Sequence, residues 1–443
     1  MAVFQGFSNI TKVPELRRRV AFTLGILAIY RVGVFISTPG VDRHAMKEFV
    51  RTQGGLLGMF NMFSGGALGN LSIFALGIMP YISSSIIMQL LGMVSKQVEE
   101  LRKEGEAGRR KLEQYTRYGT LLLSSFQSFG VAMYLEGLSQ SQGSSDIVST
   151  DELGGVWGFR LMTMLTLTTG TMLIMWLGEQ ITDRGIGNGI SLIIFAGIIS
   201  GIPSGIGSYW AQTAGEVQPL TVTIVLGVLL LSIATVVFFE RAQRRIPIQY
   251  SRRQVGRRIY GGQSAHLPLK VNMASMIPPI FASSLLMFPT TLSNFKIPGM
   301  AVFAGLLNRG DWMFQTLYGA LIIFFCFFYT AVTFQPVDVA DNLKKQSANI
   351  PGIRPGRQTA EYIDRVLTRI TVGGSIYVAI ICIVPSIIAR YFNIPFRFGG
   401  TSLMIIVGVA LETVNQIEAH LITRSYEGLT GPRTTRLSGR RPA

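Results

Sequence analysis

The sequence predicts an all-α polytopic membrane protein of ten transmembrane helices, arranged as two inverted five-helix halves. Three observations carry that prediction: apolar segments of spanning length, a one-sided distribution of Lys and Arg between them, and an echo of one segment in another. The chain has 443 residues, 48% of them hydrophobic and 14% charged, where a soluble domain carries about 25% charged residues. The deficit is uneven. Charges bunch into short polar runs, and the apolar stretches between them run to about 17–25 residues, the length that crosses a hydrocarbon core of roughly 30 Å.

The spans fall near residues 20–36, 71–94, 118–136, 157–177, 188–206, 220–239, 271–291, 314–334, 370–389 and 398–421. The first follows Arg17-Arg18-Arg19 and imitates a signal peptide. No small-residue cleavage site follows it and Arg31 interrupts its apolar run, so it is expected to be retained as a span.

The net charge of +16 takes its meaning from where the charges lie. With the N-terminus inside, the inner segments (to residue 19, 95–117, 178–187, 240–270, 335–369 and 422 onward) hold 31 of the 40 Lys and Arg, and the outer segments hold 7. That excess on alternate loops places both termini in the cytoplasm. The outer segment 137–155, which opens Gly137-Leu138-Ser139-Gln140-Ser141-Gln142, has no Lys or Arg and reads as a flexible, weakly acidic loop.

Five spans per half turn the second half upside down relative to the first. The expected division is 1–215, 216–421 and a basic tail, 422–443. Pro80 is followed by Ser84-Ser85 and preceded by Ile78; Pro279 is followed by Ser283-Ser284 and preceded by Ile277, at the same offsets. Inverted repeats with proline-interrupted helices at matching positions mark membrane pathways with a site at the repeat interface. Residues 56–70 are apolar but too short and too rich in glycine to cross. Such a segment must be buried in protein or line a cavity: either an interfacial re-entrant piece or a movable stopper between the repeats.

Several chemistries are missing. No zinc-protease, nucleophile-elbow or phosphate-loop motif occurs. Gly185-Ile186-Gly187-Asn188-Gly189 has the wrong spacing for a dinucleotide fingerprint and reads as a tight turn opening the fifth span. Cys326 and Cys382 each fall inside a span, and His44, His266 and His420 are scattered, so neither a disulfide framework nor a metal site is expected. Ionisable residues within spans are few, among them Arg31, Arg160, Glu412 and Glu418. An ion-coupled transporter, the alternative that an inverted repeat allows, needs buried Asp, Glu or His. An intramembrane protease lacks both a metal motif and a nucleophile–base pair. The central helices offer Ile and Ser instead, and an apolar constriction gates a conduit by excluding water.

The run Ala75-Leu76-Gly77-Ile78-Met79-Pro80-Tyr81-Ile82-Ser83-Ser84-Ser85-Ile86-Ile87-Met88-Gln89 resembles the signature of the SecY family, the central subunits of bacterial protein-translocation channels. Residues 61–68, 105–119, 176–191, 263–274, 341–355 and 398–419 agree with the same family, so the resemblance covers nearly the whole chain. It implies a clamshell of two inverted halves around an hourglass pore in the bacterial cytoplasmic (inner) membrane. The implied pore ring is Ile78, Ile82, Ile186, Ile190, Ile277 and Ile405, in which Ile78/Ile82 and Ile186/Ile190 are i, i+4 pairs expected to share helix faces. The implied plug is 56–70, with Met59, Phe60, Asn61, Phe63, Ser64, Gly65 and Gly66 at its centre. The second and seventh spans would form a lateral gate for apolar segments, lined by Ser84, Gln89, Gln127, Ser283 and Ser284.

The inner loops 240–270 and 335–369 are too long for mere connectors. Basic residues beside a bilayer orient the chain and touch anionic lipids, and they also suit ribosomal RNA phosphates. By resemblance these loops dock the ribosome or the motor ATPase SecA through Arg252, Arg253, Arg257, Arg258 and Arg354, the last in the turn Gly352-Ile353-Arg354-Pro355-Gly356. The small subunits SecE and SecG, secretory preproteins and their signal sequences complete the implied partners, with no cofactor. Pro278-Pro279 departs from the family's usual pattern by a second proline, expected to alter the kink beside the ring.

Overall fold

The computed structural model describes residues 13–47, 61, 64–141, 148, 155–212, 219–250, 253–255, 258–260, 264–293, 311–391 and 400–430. Its helices are α1 (Pro14–Gly33), α2 (Met79–Val94), α3 (Lys96–Lys103), α4 (Glu106–Ser141), α5 (Gly155–Arg184), α6 (Gly189–Gln212), α7 (Pro219–Arg241), α8 (Ile277–Ser293), α9 (Asp311–Thr333), α10 (Pro336–Lys345), α11 (Arg357–Tyr391) and α12 (Gly400–Thr430). Its strands are β1 (Gln243–Tyr250), β2 (Arg253–Val255), β3 (Arg258–Tyr260), β4 (Ser264–Lys270) and β5 (Ala348–Asn349).

Among the described residues, α5, α9, α11 and α12 carry stretches long and apolar enough to cross a bilayer, and α2, α6 and α8 supply shorter apolar helical stretches. The outward faces of these helices, and of α4 and α7, are greasy. Leu122, Leu165, Leu231, Phe238 and Ile380 are all exposed, where a soluble protein rarely shows contiguous apolar surface.

Helix starts follow local chemistry. Pro336 takes the first position of α10, where its missing N–H is no loss. Asp338 in that first turn and Lys344 and Lys345 in the last complement the helix dipole. Asn188 Oδ1 accepts from the backbone N–H groups of Ile190 and Ser191, capping α6.

Two expected spans begin later than hydropathy indicates. Residues 71–78 are not helical, and α2 starts only at Met79, after Leu71 and Gly77 take positive φ of 36° and 57°. Likewise α8 starts at Ile277, two residues after Ser275 at φ 51°. Both starts share one design: a left-handed residue, one further residue, then a helix with proline in second place. The structural register of the echo therefore pairs Pro80 with Pro278, Ile78 with Met276 and Ile82 with Ile280, one residue off the pairing read from Pro279. Pro278 and Pro279 both lie in the first turn of α8, where no intrahelical N–H bond is lost, so the second proline leaves the ladder intact.

Helices α1, α2, α4, α5 and α6 pack among themselves, as do α7, α8, α9, α11 and α12. The two sets meet along α2 and α4 against α8, and along α6 against α12. One apolar core runs through both sets, with Tyr30, Phe74, Ile82, Ile198, Phe281, Phe325, Val378 and Ile405 among its buried members.

The described parts of the two long loops come together in one small β-domain. β1 pairs antiparallel with β4 from Gln243↔Lys270 to Gln249↔Ser264, and on its other edge with β5 at Gln249↔Asn349. Ile246 and Ile248 point into a core shared with Leu269, Leu343, Ile350 and Ile363, while the intervening positions face solvent. β2 and β3 form a separate antiparallel pair.

Candidate functional site

Where the two helix sets meet, Ile78, Ile82, Ile194 and Ile280 line one cavity with Leu76, Gly77, Met79 and Ser64. Its volume is about 10 Å³, room for a single water molecule. Its walls are mostly apolar, four of them isoleucines, with Ser64 the one polar side chain among them.

The ring residues expected from the sequence divide. Ile78, Ile82 and Ile405 are buried in the apolar core, and Ile190 and Ile277 pack against it half-buried. Ile186 does not share a helix face with Ile190: α6 begins at Gly189, and Ile186 sits in the preceding turn, where Gly187 takes φ 91°. Its backbone N–H donates to Thr23 Oγ1 of α1 at 3.1 Å. Ile194 and Ile280, which the sequence did not single out, also line the cavity. Ile194 stands one turn beyond Ile190 on α6, and Ile280 is the structural counterpart of Ile82. The second of these was legible had the proline pair been aligned one residue earlier.

Beneath the cavity lies the segment ending the expected plug. Met59, Phe60 and Phe63 fall outside the described residues. Asn61 organises the remainder: its backbone carbonyl accepts from Gly66 N–H at 2.7 Å and from Ser64 Oγ at 3.0 Å, and its Oδ1 accepts from Gly69 N–H at 2.7 Å. Gly65 and Gly66 take positive φ of 67° and 86°. At Gly65 a Cβ would lie 2.8 Å from the backbone of Gly197 in α6, so only glycine fits there. Two consecutive residues at the end of α1 hold this segment. Tyr30 Oη donates to Ser64 O at 3.2 Å and Arg31 Nη1 to Gly65 O at 2.7 Å. The Arg31 guanidinium also lies 5.0 Å over the Phe35 ring. The sequence marked Arg31 only as an interruption of an apolar run.

Of the expected gate groups, Ser84 and Ser284 make interhelical contacts. Ser84 Oγ donates to Thr116 O of α4 at 2.8 Å, and Gly119 gives the hydroxyl the space it needs. Ser284 Oγ approaches Met79 Sδ of α2 at 3.4 Å, a weak bond across the seam. Ser283 bonds its own helix, to Ile280 O at 2.8 Å. Gln89 reaches Ser85 at 3.5 Å with its Nε2, leaving a buried Oε1 without a partner among the described residues. Gln127 is half-buried on α4.

On the β-domain, Arg252 and Arg257 fall outside the described residues, and Arg253 and Arg258 open β2 and β3. Arg354 is exposed in a turn flanked by Gly352 and Gly356, at φ 82° and 104°. Thr359 Oγ1 ties that turn down by donating to Arg354 O at 2.9 Å. The turn is therefore fixed while its guanidinium is presented outward. Among the described residues no group of His, Cys, Asp and Glu is placed to hold a metal ion.

Outward apolar faces and one apolar core shared by two helix sets define a helical membrane protein. Comparison with known proteins gives that class a family. The SecY family model matches residues 72–414. The chain is 50% identical over 431 residues to the protein translocase subunit SecY of Rickettsia typhi, covering 96% of this chain and 98% of that protein. It is 48% identical to the Escherichia coli subunit of the same name, over 93% of each. Among solved structures it resembles one described as a protein-conducting channel, with TM-score 0.65 at 17% identity over 94% of each chain. It also resembles Sec61 in a canine ribosome–channel complex, with TM-score 0.61 at 16% identity over 94% of each chain. The chain belongs to the SecY family.

Proposed function

We propose that this chain is the channel-forming subunit of a protein translocase, passing unfolded secretory polypeptides across the bacterial cytoplasmic membrane and releasing apolar segments sideways into lipid. The observation that carries the proposal is the isoleucine-lined constriction of about 10 Å³ with Ser64 of the tethered segment in its wall. A throat of branched aliphatic side chains closes against ions because water cannot wet it, yet it yields to a moving chain because no specific bond holds it shut.

In this reading ten spans form two inverted halves, residues 1–215 and 216–421, with both termini and the tail 422–443 in the cytoplasm. The ring is Ile78, Ile82, Ile186, Ile190, Ile277 and Ile405, with Ile194 and Ile280 beside Ile78 and Ile82 in the cavity wall. Residues 56–70 are the plug. α2 is about 24 Å long, shorter than the hydrocarbon core, which fits a plug segment filling the remaining depth. The seam between α2 and α8 is the lateral gate. Its polar contacts, each worth about 0.6–2 kcal/mol, are weak enough for an apolar signal sequence to part.

The β-domain is the cytosolic docking face. Its exposed Arg354 and the basic loop residues Arg252, Arg253, Arg257 and Arg258 meet SecA or ribosomal RNA, and anionic lipid headgroups lie against the same basic rim. SecE and SecG are the expected membrane partners. No nucleotide motif occurs in the chain, so energy comes from the motor or the translating ribosome. The test is reconstitution of the chain with SecE and SecG in proteoliposomes. Protease-protected secretory precursor accumulating only with SecA and ATP supports the proposal; uptake of small solutes with no precursor protection overturns it.

A further inference from the structure

One hydrogen bond joins the two halves at the rim of the gate, from a helix with no role so far. α3 follows α2 through Ser95 and ends in Arg102 and Lys103. Arg102 Nη2 donates to Val332 O at 3.2 Å. That carbonyl belongs to the last turn of α9, where C=O groups have no partner within the helix. A guanidinium there gains a free acceptor and also meets the negative end of the helix dipole.

Lys103 adds a second attraction from the same tip. Its partner Glu99 stands at 2.7 Å. That bond, and to a lesser degree the charge of Asp338 in the first turn of α10, hold the Lys103 ammonium above the usual lysine range. The basic end of α3 thus faces two negative features of the opposite half: the C-terminus of α9 and the acidic start of α10.

The connections on either side reach the gate. α3 is covalently continuous with α2, and α9 packs on α8, where Phe281 and Phe325 meet edge to face at 5.8 Å. At the seam itself, Ser284 makes only the weak thioether contact with Met79. Val332 and Asp338 also flank the entry into the β-domain, so a partner bearing on that domain acts on the acceptor side of the bond.

We infer that Arg102 is a positioning residue that clasps the two halves together at the cytosolic rim, and that its bond to Val332 is released when the lateral gate opens. The inference rests on the reading of α2 and α8 as the gate. The bond suits a releasable clasp: it lies at a partly exposed site where water can take over the carbonyl as the halves part.

The test uses the full chain in inverted membrane vesicles at equal membrane abundance, with a gate lock made from Met79→Cys and Ser284→Cys. In Arg102→Ala, disulfide formation across the gate should slow and export of a precursor with a defective signal sequence should rise, each about fivefold, the lower end of typical coupling. Asp338→Lys should shift both readouts in the same direction, and Lys103→Glu combined with Asp338→Lys should return them toward the parent. Arg102→Ala with unchanged crosslinking and unchanged export, while the lock still blocks insertion of apolar segments, overturns the clasp and leaves the gate standing. A closed lock that leaves insertion undiminished overturns the gate, and the clasp with it.

Discussion

Removing the Arg31 guanidinium should unseat the plug. Arg31 Nη1 donates to Gly65 O at 2.7 Å, a charge-assisted bond to a carbonyl whose residue is locked at positive φ against α6. Such a bond contributes about 1.5–3 kcal/mol, so Arg31→Ala should shift the balance between seated and displaced plug by about 10–150-fold. Tyr30→Phe removes a longer, neutral bond at 3.2 Å, worth about 0.5–1.5 kcal/mol, and should shift it by about 2–10-fold. The order of the two effects is the informative part, because both residues hold adjacent carbonyls of one turn. Planar-bilayer recording of the purified complex without precursor reads the displaced population as basal conductance. Conductance should rise in the order parent, Tyr30→Phe, Arg31→Ala. An Arg31→Ala channel as tight as the parent, or a leakier Tyr30→Phe, would refute the tether.

Replacing Ile194 or Ile280 with Asn should raise ion leakage, since an amide in the throat gives water a partner. Leu122→Asn, at a position 71% exposed on α4, should leave it unchanged, and equal leakage from all three would place the ring elsewhere. Reversing charge in Arg354→Glu should depress motor-driven export of a soluble precursor at least tenfold, the scale of one lost charge-assisted contact. Cotranslational insertion of apolar segments should fall less, and an equal loss of both would remove Arg354 from the motor contact.

Much of this was legible in the sequence because hydropathy and charge are summed over many residues. Each of the ten apolar stretches overlaps a helix, four of those helices being long and apolar enough to cross a bilayer among the described residues, and long motifs carry the family resemblance. What escaped depends on single backbone angles or on contacts between distant segments. Ser275 at φ 51° sets the start of α8, yet serine gives no sign of that conformation. The doublet Pro278-Pro279 allows two registers of the echo, and the structural one pairs Ile82 with Ile280, which lines the cavity. Ile186 was paired with Ile190 by i, i+4 spacing, which holds only inside a helix, and Gly187 ends that assumption. Arg31 was visible as a charge, but its partner is a backbone carbonyl 34 residues away. The β-domain joins β1 to β5 across about a hundred residues, beyond any local pattern.

The central claim is that polypeptide passes through the isoleucine throat, and a photo-crosslinking amino acid tests it most directly. Placed at Ile82 or Ile194 in the cavity wall, it should crosslink a secretory chain arrested in transit; placed at Leu122, 71% exposed on the outward face of α4, it should crosslink lipid. Capture of the arrested chain at Leu122 and not at Ile82 or Ile194 would contradict the account.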